Sequence, residues 1–124
     1  MSNRVLVVDD SGPMRAIVRR NLNFLGIEEI VEAADGQEAL KFFRSSVFDI
    51  VITDFNMPKM NGLELVKEIR AAGSEVPILM LTTEAERSMV VAAIQAGVSG
   101  YLIKPFDSSL LKKKLEKLTE AQLA

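Results

Sequence analysis

Val5-Leu6-Val7-Val8-Asp9-Asp10-Ser11-Gly12-Pro13 begins as a continuous apolar run and ends in two acids and a helix-starting proline. A short apolar run without polar alternation is typical of a strand covered on both faces of a sheet. Pro13 fits the first position of a helix, because a helix leaves its first N–H groups unbonded in any case. The segment therefore predicts a buried strand that leads through an acidic turn into a helix.

Four more short apolar runs follow, each separated from the next by a helical pattern. The predicted strands are Val5–Val8, Ile30–Ala33, Ile50–Thr53, Ile78–Leu81 and Tyr101–Ile103. Strict alternation of strands and helices indicates right-handed crossovers and a parallel sheet, and five units are too few for a (βα)8 barrel. We therefore predict an α/β fold, a doubly wound (βα)5 three-layer sandwich with a five-stranded parallel sheet.

Helix-starting patterns support this division of the chain. N-caps followed by an acid three residues later are expected at Asp35, Asn61 and Thr83, and the last helix is expected to begin near Asp107. On the helix after the fourth strand, Met89, Val91 and Ile94 are expected to face the core.

The composition restricts the chemistry that the chain can perform. Its 124 residues include 17 acidic and 15 basic side chains, a net charge of −2, and no cysteine or histidine. This excludes disulfides, thiolate zinc sites, catalytic triads and imidazole bases. It gives no overall electrostatic case for nucleic-acid or membrane binding. We expect one cytoplasmic domain over residues 1–124, without an output domain.

Polar residues follow four of the five predicted strands. They are Asp9 and Asp10 after the first strand, Asp54 after the third, Thr82 and Thr83 after the fourth, and Lys104 after the fifth. The second strand, interrupted by Glu32, is followed by nothing similar, which favours a peripheral position. Ligand sites in such folds lie outside the carboxyl ends of the strands. We therefore expect these polar side chains to form one site.

Each of these residues also has an ordinary structural explanation when taken alone. Asp9 and Asp10 could complement a helix N-terminus, Asp54 could be a turn residue, and Lys104 could be a solvated strand end. Three converging acids, however, repel one another unless a cation or a proton intervenes. A Mg²⁺ ion resolves that repulsion, and an ionised aspartate needs no general base to accept a phosphoryl group.

Four segments resemble the receiver domain of two-component response regulators, and within that family the single-domain, CheY-like chemotaxis type. They are Val7-Val8-Asp9-Asp10-Ser11, Asp54-Phe55-Asn56-Met57-Pro58-Lys59-Met60-Asn61-Gly62, Leu81-Thr82-Thr83-Glu84-Ala85-Glu86, and Ala96-Gly97-Val98-Ser99-Gly100-Tyr101-Leu102-Ile103-Lys104-Pro105-Phe106. The resemblance covers essentially the whole chain. It implies the flavodoxin-like strand order 2-1-3-4-5, which is the order known for CheY, and a cis Lys104-Pro105 peptide bond.

The resemblance also implies a role for each strand-end residue. Asp54 would be the phosphoacceptor, phosphorylated by a CheA-like sensor histidine kinase. Asp9, Asp10, Asp54 and the backbone carbonyl of Asn56 would bind Mg²⁺. Lys104 and Thr82 would contact the phosphoryl group. The chain would be a signalling phosphoprotein that assists its own phosphorylation and dephosphorylation, and not an enzyme with a separate substrate.

Further residues are assigned by the same resemblance to switching and to phosphoryl lifetime. Thr82 and Tyr101 would form the switch, in which the hydroxyl moves toward the phosphate and the ring turns inward. Asn56 and Glu84 would flank the path of the attacking water. Thr83 stands where the family favours Ala or Gly, so the lifetime of the phosphoryl group stays open.

The expected output surface comprises the fourth helix, the fifth strand and the fifth helix. Its candidate partner contacts are Ala85, Arg87, Val90, Tyr101, Ile103, Phe106, Lys114 and Lys117. The lysines of the last helix alone would fit an ordinary solvated face. The expected partners are a flagellar motor switch protein and a phosphatase, and the chain is expected to be a monomer.

Three rival functions can be compared with the sequence. An aspartate-dependent phosphatase would need an Asp-x-Asp motif after its first strand, which Asp9-Asp10 does not provide. A flavodoxin-like electron carrier would need a hydroxyl-rich phosphate loop at the same place. A phosphorelay intermediate, which would pass the phosphoryl group to a histidine-phosphotransfer protein, is the alternative that the sequence leaves open.

Overall fold

A computed structural model describes residues 3–83 and 86–123, the last five of these as helix backbone. The strands are β1 (Arg4–Val8), β2 (Glu29–Ala33), β3 (Ile50–Thr53), β4 (Ile78–Thr82) and β5 (Gly100–Ile103). The helices are α1 (Gly12–Phe24), α2 (Gly36–Ser45), α3 (Gly62–Ala71), α4 (Arg87–Ala96) and α5 (Ser108–Leu123). All five predicted strands are confirmed, with ends that differ by at most one residue.

The five strands form one parallel sheet in the order β2-β1-β3-β4-β5. This confirms the doubly wound fold and the edge position expected for the second strand. The order reverses between β1 and β3, the point at which an open sheet of this kind leaves a crevice beyond its carboxyl ends.

Two apolar cores lie on opposite faces of the sheet, because successive residues of a strand point to opposite sides. In β1, Leu6 and Val8 pack toward α2, α3 and α4, whereas Val5 and Val7 pack toward α1 and α5. The remaining strands alternate in the same way, and most of their residues are fully buried. A shift of one residue in register would exchange the two faces, so the cores fix where each strand ends.

The helix starts agree with the sequence at two of the three predicted caps. Asn61 and Glu64 form a capping box at α3, and Asp35 accepts a bond from the Glu38 N–H at α2. Thr83 is wrong as a cap, because α4 starts at Arg87 with an extended Glu86 before it and no side-chain cap bond. The Thr-x-x-Glu pattern has the spacing of an N-cap and its acid, but this spacing alone does not determine the residue at which the helix begins.

The residues of α4 that face the core differ from those predicted. Val91 and Ile94 are 41 % and 58 % exposed, and Ala93 is the one buried residue of this helix, while Met89 is half-buried against the core. The helix is thus attached to the sheet by a small apolar face. Among the described residues, no helix is long and apolar enough to cross a bilayer.

Gly62 allows the start of α3 to lie directly against the end of β3. A Cβ atom at position 62 would lie 2.0 Å from the backbone oxygen of Asp54, which cannot move without displacing the strand end. We expect Gly62→Ala to lower the free energy of unfolding by about 1–3 kcal/mol, the usual cost of overpacking. Urea unfolding followed by circular dichroism measures this.

Gly12→Ala is the matched control, since a Cβ at that position, also the first residue of a helix, would meet its nearest neighbour at an ordinary 3.7 Å. Its effect should stay within about 0.5 kcal/mol. Equal stabilities of the Gly62→Ala and Gly12→Ala variants would show that close packing at Gly62 is not required.

Candidate functional site

Backbone bonds between neighbouring strands bring the strand-end residues to one edge of the sheet. The Asp9 N–H donates to the Ala33 carbonyl at 3.1 Å, and the Asp54 N–H donates to the Val8 carbonyl at 2.9 Å. At the other side of the sheet, the Lys104 N–H donates to the Thr82 carbonyl at 2.8 Å. The parallel ladder therefore extends just past the last strand residues and sets where the side chains of the site begin.

The Lys104 ammonium lies between two of the carboxylates. Its Nζ is 2.8 Å from Asp9 Oδ2 and 3.5 Å from Asp54 Oδ2, and all three side chains are largely buried. Burying an ion pair costs desolvation free energy, which the attraction offsets only when the geometry is good and the remaining polar atoms are hydrogen-bonded. Lys104 thus joins the first, third and fifth strands through one charge.

The polar groups of Asp9 are all bonded. Its Oδ1 accepts from the Ser11 N–H at 2.9 Å, its Oδ2 accepts from Lys104, and its backbone carbonyl accepts from Arg15. Ser11 is also the N-cap of α1, where its hydroxyl accepts from the Met14 N–H. The acidic turn is therefore held in one shape.

Asp54 is buried but keeps one oxygen toward the other charges. Its Oδ1 accepts from the Phe55 N–H at 2.7 Å, and its carboxylate also accepts a hydrogen bond from the Thr82 hydroxyl. Burial raises the pKa of Asp54; the Lys104 charge opposes this rise and the Asp9 charge adds to it. The pKa of Asp54 remains above its ordinary value, since burial is the largest effect.

The three acids can supply ligands to one cation. One carboxylate oxygen from each of Asp9, Asp10 and Asp54 lies within 4.8 Å of the others, and Asp10 is exposed to solvent. With Lys104, the ionised cluster retains two negative charges (three carboxylates and one ammonium). Hard oxygen ligands with access to water are what Mg²⁺ requires, so the residues fit the expected ion.

The other predicted site residues lie around this cluster. Thr82 is fully buried, whereas Thr83 and Asn56 are exposed. Tyr101 is half-buried and packs against the core beneath α4. The Lys104-Pro105 peptide bond is cis, as expected. Glu84 lies outside the described residues.

The described members of the predicted output surface are exposed or half-buried. Arg87 and Lys117 are exposed, and the half-buried members are Val90, Tyr101, Ile103, Phe106 and Lys114. Ala85 lies outside the described residues. The surface therefore combines half-buried apolar side chains with exposed cations.

Two contributors were missed by the sequence reasoning. Arg15 reaches the Asp9 carbonyl from α1, and Glu32 of β2 binds Arg15, although the sequence places no polar strand-end residue after the second strand. The available signal was Glu32, an acid inside the apolar part of β2, together with two arginines, Arg15 and Arg19, spaced by one helical turn. That pattern alone does not show which backbone group an arginine reaches.

The raised pKa of Asp54 predicts a dependence of stability on pH. Because the folded state holds this carboxyl at a pKa above its unfolded value, its ionisation destabilises the fold at neutral pH. In Mg²⁺-free buffer we expect Asp54→Asn to raise the free energy of unfolding at pH 7, because the amide removes the unfavourable buried charge. The gain should shrink as the pH falls through the pKa of Asp54. Urea unfolding across the acidic range measures it.

Asp107→Asn is the matched control, because Asp107 is exposed and accepts the Leu110 N–H at the start of α5, a bond that Asn can also accept. Its stability should follow that of the unmodified chain within about 0.5 kcal/mol at every pH. A destabilised Asp54→Asn variant at pH 7 would contradict the unfavourable charge assigned to Asp54.

Comparison with known proteins gives the family of this chain. Residues 5–116 match the family model of the response regulator receiver domain. The chain is 46% identical over 119 residues to chemotaxis protein CheY-3 of Vibrio cholerae, covering 94% of this chain and 92% of that protein. It is 44% identical to chemotaxis protein CheY of Pseudomonas aeruginosa, with 94% and 96% coverage. The solved structure of the chemotaxis response regulator CheY4 of Vibrio cholerae superposes with a TM-score of 0.87 at 40% identity, covering 95% of this chain and 99% of that one. The fold, the strand-end acids and these similarities together show that the chain belongs to the response regulator receiver domain family.

Proposed function

We propose that the chain is a response regulator that accepts a phosphoryl group on Asp54 from a sensor histidine kinase. The observation that carries this is the position of the Asp54 carboxylate, which is buried beside Lys104 and shares a cation-sized cluster with Asp9 and Asp10. The chain would act in the cytoplasm as a signalling phosphoprotein. The family supports phosphorylation as the signal, and the relatives named as chemotaxis proteins support chemotaxis as the pathway.

The transfer would join Asp54 to phosphorus while the bond from phosphorus to the kinase histidine breaks. The Phe55 N–H holds Oδ1 of Asp54, and Oδ2 lies toward the Lys104 ammonium, so the carboxylate is fixed before the donor arrives. Fixed orientation removes most of the entropic cost of such a reaction. The leaving imidazole nitrogen keeps the electron pair of the broken bond and is protonated from solvent.

Asp9, Asp10, Asp54 and the Asn56 carbonyl are the groups that would hold Mg²⁺. When bound, Mg²⁺ would neutralise the charge that develops on the phosphoryl oxygens. Lys104 is the cation nearest to Asp54 Oδ2 among the described residues, and its ammonium would pair with one of those oxygens. The acidic turn would thereby carry a role in transfer as well as in folding.

The buried Thr82 would connect phosphorylation to the surface. In the unphosphorylated chain its hydroxyl bonds to the Asp54 carboxylate. A phosphoryl oxygen offers a stronger acceptor, so the hydroxyl would move toward it and vacate space beside β5, where Tyr101 is half-buried. Phosphorylation thus favours one of two pre-existing arrangements. Because α4 is attached to the sheet by a small apolar face, we expect this helix to move when Thr82 and Tyr101 rearrange.

Phosphorylation itself provides the direct test. Incubation with acetyl phosphate and Mg²⁺, followed by intact-protein mass spectrometry, should show one added phosphoryl group on the unmodified chain and none on Asp54→Asn. Lys104→Met should slow transfer by about a hundredfold, the usual effect of removing one charge-stabilising group. Removal of Mg²⁺ with a chelator should also suppress transfer.

Lys67→Met is the control for loss of a lysine, because Lys67 is exposed on α3 away from the site. It should be phosphorylated at the rate of the unmodified chain. Transfer that persists in Asp54→Asn at the original rate would sink the assignment of the acceptor.

The output partner is tested separately. The phosphorylated chain should bind a flagellar motor switch protein more tightly than the unphosphorylated chain, and Lys117→Glu should weaken this binding by about tenfold if an acidic helix docks on the surface. Fluorescence anisotropy with a labelled switch-protein peptide measures both effects. Selective capture of a histidine-phosphotransfer protein instead would favour the phosphorelay alternative.

A further inference from the structure

We propose that Arg15 is a positioning residue for the acidic turn, and that Glu32 of β2 holds Arg15 in place to do so. This inference rests on the proposed function, because it concerns the turn that would hold the metal. It assigns a role to the edge strand β2, which supplies no candidate ligand or phosphoryl contact.

The contact between Arg15 and the turn is made at its central peptide group. Arg15 Nη1 donates to the backbone carbonyl of Asp9, which belongs to the peptide linking Asp9 to Asp10. Rotation of that peptide would move the two carboxylates relative to each other. A guanidinium bonded to the carbonyl therefore restrains the relative placement of two expected metal ligands.

Glu32 holds two arginines of α1 at once. Its Oε1 accepts from Arg15 Nε at 3.0 Å, and its Oε2 lies 2.8 Å from Arg19 Nη2 and accepts from Arg19 Nε at 2.9 Å. The side chains of Arg15 and Glu32 are 21% and 33% exposed, so the pair is partly shielded from solvent. The planar fork of Arg15 places Nε on Glu32 and Nη1 on the Asp9 carbonyl in one rigid geometry, whereas a lysine offers donors from a single nitrogen only.

The remaining groups of Asp9 are held by other parts of the site. Its N–H donates to Ala33, and its carboxylate accepts from Ser11 and Lys104. Arg15 is the side chain that holds the carbonyl among the described residues. Groups bonded to metal ligands without touching the metal typically change metal affinity by about 10–100-fold when they are removed.

A positioning role and a purely electrostatic role of Arg15 predict opposite changes in Mg²⁺ affinity when Arg15 is replaced. Loss of a cation beside three carboxylates would tighten Mg²⁺ binding if only charge mattered. Loss of the bond to the Asp9 carbonyl would weaken binding, because the carboxylates would no longer be oriented. The sign of the change in Mg²⁺ affinity therefore separates the two explanations.

Isothermal titration of Mg²⁺ into the unphosphorylated chain tests the inference. We expect Arg15→Met to weaken binding about tenfold, and Arg15→Lys, which keeps the charge, to weaken it about fivefold. Glu32→Gln should weaken binding about threefold, and the Arg15→Met, Glu32→Gln double variant should be no weaker than Arg15→Met alone, since the two residues act as one unit.

Arg4→Met is the matched control. Arg4 of β1 also pairs with a glutamate of β2, Glu29, at 3.1 Å, but at the opposite end of the sheet from the acidic turn. Its Mg²⁺ affinity should stay within about twofold of the unmodified chain. Urea unfolding in chelator identifies any variant that fails to fold, in which case Arg15→Lys and Glu32→Gln carry the test.

Unchanged or tighter Mg²⁺ binding by folded Arg15→Met and Arg15→Lys variants would overturn the role of Arg15. Equal weakening by Arg4→Met would overturn it as well, because the effect would then belong to any arginine paired with a glutamate of β2. An unmodified chain that does not bind Mg²⁺ would instead contradict the proposed function itself.

Discussion

The close approach of like charges at the carboxyl ends of the strands is the constraint on which the site depends. Asp9 and Asp54 are both buried, and Asp10 lies within reach of the same point. Lys104 offsets part of their repulsion, at 2.8 Å from Asp9 and 3.5 Å from Asp54. Two negative charges remain, so the resting site favours a divalent cation. Burial of the Asp54 carboxylate, with a smaller contribution from the Asp9 charge, raises the pKa of Asp54 despite the nearby Lys104.

The sheet maintains this arrangement because its register cannot change without exposing a core. Residues that alternate along β1 enter two different cores, and the bonds of Asp9 and Asp54 to neighbouring strands continue the same ladder. Gly62 then allows α3 to begin against the Asp54 carbonyl. The energy that stabilises the fold thereby also holds charged groups close together, a placement that would be unfavourable in an isolated loop.

Most of the fold and the centre of the site could be predicted from local patterns. A short apolar run such as Ile50–Thr53 is best explained as a buried strand. In a parallel sheet, the residues that follow such strands lie together at the carboxyl edge. Contacts that depend on side-chain direction could not be predicted. Val91 and Ile94 have helical spacing yet lie exposed, because α4 contacts the sheet through Ala93. From the sequence, Glu32 only interrupts the apolar run of an edge strand. The sequence does not show that Arg15 binds both Glu32 and the Asp9 carbonyl.

The most direct test of the account is the chemical identification of the phosphorylated residue. The chain would be phosphorylated with acetyl phosphate in Mg²⁺, reduced with borohydride, which converts an acyl phosphate of aspartate to homoserine, and mapped by peptide mass spectrometry. We expect homoserine at position 54, in an amount that falls when Mg²⁺ is removed. Homoserine at Asp9 or Asp10 with Asp54 intact, or no homoserine at any position, would contradict it.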